Sequence, residues 1–359
     1  AFTMRFALPA AGLFLAGTLL AACDGTSDRI TVPPPPPPPP PDLSDLDLAS
    51  AERCDHLVPE YCLFPFPNNH FTQTDAATET GLRIHLQPES MPVAQPVSIP
   101  PSQLAPAGVQ TTEPTPIDPT EWNRNDGYSP GSMMLARVPG LDLEQTGAVR
   151  ITDIARALDA DAPILVIDAE SGERQLIWAE LDANTDDDDA RALIIRPARN
   201  LVEGRRYIVA LRDLRDAEGE LIPATELFRA YRDDVDTEIE VFEQRRPAMN
   251  DLLARLDDHG VDRESLYLAW DFTVASQRNI TERLLHVRDE AFASLGGGAP
   301  AFTVTQSGLA IEGSPRAGLS RGITGTFEVP NFLNEAGGPP GASFNYSDGS
   351  DPDALPSRF

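Results

Sequence analysis

Three stretches of the chain carry residue types whose spacing could do chemistry. Gly127-Tyr128-Ser129-Pro130-Gly131 fits G-x-S-x-G letter for letter. That pattern marks a nucleophile elbow: the serine sits on a sharp strand-to-helix turn, and the next residue's N–H helps bind the oxyanion. Pro130 has no N–H to give. The preceding Asn123-Arg124-Asn125-Asp126 reads as loop, and the available histidines, His259 and His286, fall in helical patterns. Ser129 is therefore expected as a capped, buried serine in a turn, and no residue is assigned a catalytic role. Asp182, Asn184, Asp186 and Asp188 alternate as calcium ligands do, but Asp187 stands where such a loop needs glycine and Leu193 where it needs a bidentate acid. The stretch reads as an acidic hairpin loop; calcium is the one cofactor it suggests, and no metal is assigned. Asp271 interrupts the otherwise apolar strand pattern Leu266–Val274. A carboxylate in such a place is a candidate acid, but the expectation is structural: it takes hydrogen bonds from a nearby loop or pairs with an arginine.

The cysteines point to export. Met4-Arg5, the apolar run Phe6–Ala22 and small residues at its end have the layout of a secretory signal, too short for a stable span. Its ending, Leu20-Ala21-Ala22-Cys23, resembles the lipobox of bacterial lipoproteins, which implies that Cys23 is lipidated and becomes the mature N-terminus; Ala1–Thr3 precede the start methionine. The expected location is the cell envelope, on a membrane, either periplasmic or at the cell surface. Cys54 and Cys62, eight positions apart, read as one disulfide in an oxidising compartment. A metal site would recruit His56 and His70, but the cluster lacks a standard ligand spacing. His56, His70 and His85 receive no role.

Nine prolines, Pro33–Pro41, follow the anchor. In the polyproline II conformation they make a stiff spacer of roughly 28 Å; a ligand for a proline-reading domain is the alternative. All 28 basic residues are arginine, against 56 acidic ones, for a net charge of −28 over 359 residues. Such a surface repels polyanions, which argues against a nucleic-acid partner. With 41% hydrophobic residues the chain can build a real core.

Residues 48–132 begin with the Cys54–Cys62 loop and an aromatic, turn-rich stretch from Leu63 to Thr80. Nine further prolines between residues 88 and 119 mark an extended insertion. Short β-like runs then recur over 133–236: Met133–Val138, Val149–Ile151, Pro163–Ile167, Gln175–Leu181, Ala192–Ile195 and Tyr207–Leu211. Asp168–Glu173 is expected as a hairpin loop and Asp216–Gly219 as a turn. Strands this short and this regular predict an antiparallel sandwich. Over 237–299 the period changes. Met249, Leu252, Leu253 and Leu256 stripe a helix stopped by Gly260, Leu266–Val274 reads as a strand, and Ile280, Leu284, Leu285, Val287, Ala291 and Phe292 stripe a second helix ending at Gly296. Residues 300–359 offer one more strand near Gly322–Val329 and read as the start of a truncated domain. The predicted fold class is mainly β with added helices (α+β).

Pro119–Gly131, Trp178–Asn184, Leu193–Pro197 and Tyr207–Asp213 resemble the N-terminal half of large bacterial lipoproteins in which an immunoglobulin-like region precedes an α/β-hydrolase domain of esterase or lipase type. Leu268–Ser276 and Gly325–Leu333 look like the junction into that hydrolase. The resemblance covers about residues 53–335, apart from the proline-rich insertion, and its motifs are structural. It implies an Ig-like sandwich over 133–236 and an accessory, membrane-tethered region serving a C-terminal hydrolase domain of the same chain, absent from these residues, which would make the full-length protein a serine ester hydrolase. A self-contained surface binding or adhesion module is the alternative; a reading frame that continues past Phe359 separates the two.

Overall fold

The computed structural model describes residues 39–94, 115–185, 187–308, 322–339 and 341–359. The signal segment, Cys23 and most of the polyproline tract therefore lie outside the described residues, as do Asp186 and the middle of the proline-rich insertion. In chain order the strands are β1 (Thr72–Thr74), β2 (Leu82–Ile84), β3 (Val93–Ala94), β4 (Thr115–Pro116), β5 (Met134–Arg137), β6 (Ile164–Asp168), β7 (Ile177–Leu181), β8 (Ala192–Pro197), β9 (Arg206–Arg212), β10 (Leu266–Thr273), β11 (Phe302–Gly308) and β12 (Gly322–Phe327). The α-helices are α1 (Leu143–Thr146), α2 (Glu226–Arg232), α3 (Glu240–Asp258) and α4 (Gln277–Ser294). The fold is mixed α+β and mainly β, and every pair of strands is antiparallel.

The central sheet runs β10-β9-β6. All of β6 and nearly all of β9 and β10 are buried, the pattern of a sheet covered on both faces. Register sets the faces. Arg206 lies opposite Thr273 and Ile208 opposite Asp271, so these four share one face, where Arg206 reaches Asp251 of α3. Tyr207, Trp270 and Phe272 take the other face, and the Trp270 indole donates to the Pro67 carbonyl at 2.9 Å. Each fully buried aromatic here contributes about 1.5–3 kcal/mol. A second sheet, β5-β8-β7, shows the alternating burial of a sheet packed on one face.

Several expectations are corrected by tertiary packing. The loop Asp168–Glu173 starts a hairpin, with an isolated bridge between Ile167 and Arg174, but β7 then leaves for the second sheet. Val149–Ile151 does not form a strand. The Val149 carbonyl accepts from the Ala179 amide at 2.9 Å, after which Ile151–Leu158 winds into 3-10 turns kinked at Asp153. Ile151, 66% exposed, has nothing to bury against, and three residues do not sustain a ladder. β10 falls outside the 133–236 stretch yet is the partner of β9. Neither α2 nor β11 is apparent from the sequence; α2 has only seven residues, two turns, too few for a periodic signal.

α2 and α3 bury Leu227, Phe228, Tyr231, Phe242, Met249, Leu252 and Leu253. Gly260, at φ +74°, turns the chain out of α3, a conformation glycine adopts without strain. α4 behaves differently: none of its residues is buried, so its apolar stripe faces out. β11 and β12 form a ribbon after it. The chain then returns to the body, where the Arg124 guanidinium lies 3.9 Å above the Tyr346 ring and Arg83 pairs with Asp353 at 2.8 Å. No described helix is long and apolar enough to cross a membrane.

Candidate functional site

Two carboxylates, each held by an arginine, flank the corner Asn68-Asn69. The disulfide Cys54–Cys62 closes the loop that carries the first, Asp55. Asp55 is fully buried, and Arg245 of α3 grips both its oxygens, at 2.7 and 3.0 Å. Asn68 Nδ2 and the Leu57 amide complete its shell at 2.6 and 2.9 Å. Burial opposes ionisation of Asp55 most strongly, but the Arg245 charge together with the hydrogen bonds from Arg245 and the Leu57 amide holds the carboxyl below the usual range.

The second carboxylate is Asp271 on β10. Its Oδ2 accepts from Arg206 Nε and from Asn69 Nδ2, both at 2.7 Å. Arg206 also donates to Asp251, which Arg255 approaches at 3.0 Å. The Arg255 hydrogen bond, with that from Arg206, keeps the Asp251 carboxyl below its ordinary value. Because Asn69 Nδ2 faces Asp271 and Thr273, its orientation is set, and its Oδ1 is left buried without a partner. Next along the chain, His70 Nε2 lies 3.2 Å from the Cys54 carbonyl. Enclosure of the ring, reinforced by Arg245 and opposed by Asp55, lowers His70 to about 4. Asn69, His70, Arg206, Arg245, Asp251 and Asp271 line one side of an open cleft of about 620 Å³ between α3, one end of β9 and β10 and the β1–β2 hairpin, with Thr72, Gln73 and Met249 among its walls; Asp55 lies beneath it, out of reach of solvent.

This cluster joins the disulfide loop with its Asn68-Asn69 corner, β9, α3 and β10, and its ion pairs satisfy one another. No nucleophile with an adjacent free base lies in it, so it offers polar contacts but no proton-transfer pair.

The G-x-S-x-G match has a backbone role. A Cβ on Gly127 would sit 2.6 Å from the Ala275 amide nitrogen and 2.7 Å from the Thr273 carbonyl oxygen. Only glycine admits that approach, which lets the Tyr128 amide donate to Thr273 and the Ala275 amide to Tyr128. Tyr128 is buried, its hydroxyl donates to the Asn68 carbonyl at 2.8 Å, and burial pushes its ionisation up. Ser129 is exposed rather than buried as expected, because the burial falls on Tyr128, and its Oγ accepts from the Gly131 amide in a turn. His259 caps the C-terminus of α3 against Gly172, and His286 lies on α4; neither hydrogen-bonds to Ser129.

Ser50, Asp55 and His56 look more like a triad by residue type, yet fail on direction. Ser50 Oγ donates to the Asp47 carbonyl at 2.9 Å and lies 3.2 Å from His56 Nε2. The serine proton is committed elsewhere, so Nε2–H must donate to the serine, the reverse of base activation. His56 Nδ1 is buried without a partner, and both Asp55 oxygens serve other donors. Burial lowers the His56 ionisation further.

In the acidic loop Asp182 Oδ1 accepts from the Asn184 amide and side chain, and Asp188 pairs with Arg191. Among the described residues no group of three or more His, Cys, Asp or Glu side chains is placed to hold a metal ion. Comparison with family models, with curated proteins and with solved structures gives no match.

Proposed function

We propose that this chain is the non-catalytic N-terminal region of an exported lipoprotein, tethered through Cys23 and serving an α/β-hydrolase domain of esterase or lipase type in the same protein. The observation that carries the non-catalytic half is Gly127: the elbow motif is used to press backbone against Thr273–Ala275, while Ser129 points to solvent without a base. The tether is supported by the lipobox-like ending at Cys23, and the hydrolase by the motifs around Trp178, Tyr207, Trp270 and Phe327. The two three-stranded antiparallel sheets favour an Ig-like description of 133–236, with β10 added to it.

Two measurements test this reading. Cys23→Ser should move the protein from a detergent-extracted membrane fraction to the soluble one; unchanged partition sinks the tether. The reading frame should run on past Phe359 into a domain with a G-x-S-x-G after a buried strand, and a stop codon there sinks the hydrolase.

A further inference from the structure

We propose that the outward apolar stripe of α4 is the seat of the domain that follows Phe359 in the same chain, delivered there by an arginine-held strap; this rests on the reading of that domain given above.

α4 is docked the wrong way round for an amphipathic helix. Asn279, Arg283 and Glu290 recur at intervals of four and seven, which puts them on one side. That polar side faces the body. Asn279 Nδ2 and Arg283 both donate to the Arg124 carbonyl, at 3.3 and 3.2 Å, and the Glu290 carbonyl accepts from Arg358 at 3.0 Å. The apolar stripe lies on the other side, in solvent. Leu284 is 64% and Phe292 67% exposed, flanked by Ile280 and Leu285. A surface helix of a folded protein turns such a stripe inward, and one left open marks a contact surface.

The course of the chain selects the occupant. After the ribbon, residues 346–358 return over the body as a strap. The buried Arg124 lies over Tyr346 and donates to the Gly349 and Asp351 carbonyls at 2.8 and 2.7 Å. The buried Arg83 pairs with Asp353, and Arg283 of α4 reaches the Pro352 carbonyl at 3.3 Å. Arg358 then meets Glu290, its guanidinium 3.5 Å from the carboxylate, so the chain is pinned to α4 one residue before Phe359. A domain continuing from there starts at the helix rather than on a free linker. A short tether holds it at an effective concentration in the millimolar range. Area makes the same choice. The stripe offers on the order of a few hundred Å², which suits one side of a contact between domains of one chain, roughly 600–1,500 Å² in all. It falls short of the ~800 Å² that each free partner brings to a standard interface.

The test is radical footprinting of side chains in the full-length chain, read by mass spectrometry. Leu284 and Ile151 are matched aliphatic reporters, 64% and 66% exposed. With the seat occupied, Leu284 should oxidise at least ~10-fold more slowly than Ile151, as it would with the docked state filling about nine-tenths of the population. Leu284→Asp should release the cover and raise the oxidation of Phe292 at least ~5-fold, while Ile151→Asp should leave it unchanged. A benzophenone carried on Ile280→Cys should cross-link to a peptide beyond residue 359, at the mass of a single chain. A stop codon directly after Phe359 removes the domain itself and overturns both readings. A domain that is present, yet leaves Leu284 as reactive as Ile151, overturns this one alone. So does a cross-link found only at twice the chain mass, which would put a second copy on the seat.

Discussion

Asp55 and Arg245 stand 190 positions apart and meet in a two-pronged ion pair of 2.7 and 3.0 Å, with the carboxylate wholly shut off from solvent. The pair clamps the disulfide loop onto α3. Removing one member leaves an uncompensated buried charge, which typically costs about 3–5 kcal/mol. Arg245→Met should lose stability on that scale in urea unfolding. Adding Asp55→Asn should recover at least ~1 kcal/mol by removing the stranded charge. A single variant as stable as wild type would show that the clamp is not formed.

His70 makes the fold sensitive to mild acid. Its folded value is about 4 against 6.5 for the free side chain, so between these the unfolded chain binds the proton and the folded one does not. Stability is then unaffected by His70 above pH 6.5, falls as pH drops from 6.5 to 4, and levels below that. The loss reaches on the order of 3 kcal/mol at most. His70→Gln should flatten the stability slope across this window relative to wild type. Parallel slopes for the two proteins would contradict it.

Gly127 and Ser129 should respond in the opposite order to that of an enzyme's elbow. Gly127→Ala drives a methyl into the Thr273–Ala275 backbone and should cost about 1–3 kcal/mol, visible as a lower melting temperature. Ser129→Ala, on an exposed turn, should stay within about 0.5 kcal/mol of wild type.

Residues 48–359 should not turn over short-chain aryl esters and should not be labelled by a serine-directed phosphonate. Ser129 lacks a base and a following N–H, and Ser50 commits its proton to the Asp47 carbonyl. Labelling at either serine, abolished by its alanine variant, would reverse the non-catalytic assignment.

What the sequence by itself determined is local. Short apolar runs place β6, β8, β9 and β10; Gly260 and Gly296 end α3 and α4; and the eight-residue spacing of Cys54 and Cys62 foretells their bond. Each depends on the conformational preferences of residues a few positions apart, and those preferences survive in one dimension. Val149–Ile151 misleads because its deciding neighbour, Ala179, lies elsewhere in the chain, and α2 because seven residues carry no periodic signal. Tertiary structure alone decided the site. Arg245 is one of 28 arginines with no local mark, and its choice of Asp55 follows from how α3 packs on the sheet. The meaning of Gly127-Tyr128-Ser129-Pro130-Gly131 likewise turns on Ala275, nearly 150 residues away, whose backbone approaches too closely for any Cβ. Pattern along the chain can propose such a motif, but hydrogen-bond direction and steric contact, which exist only between packed segments, settle what it does.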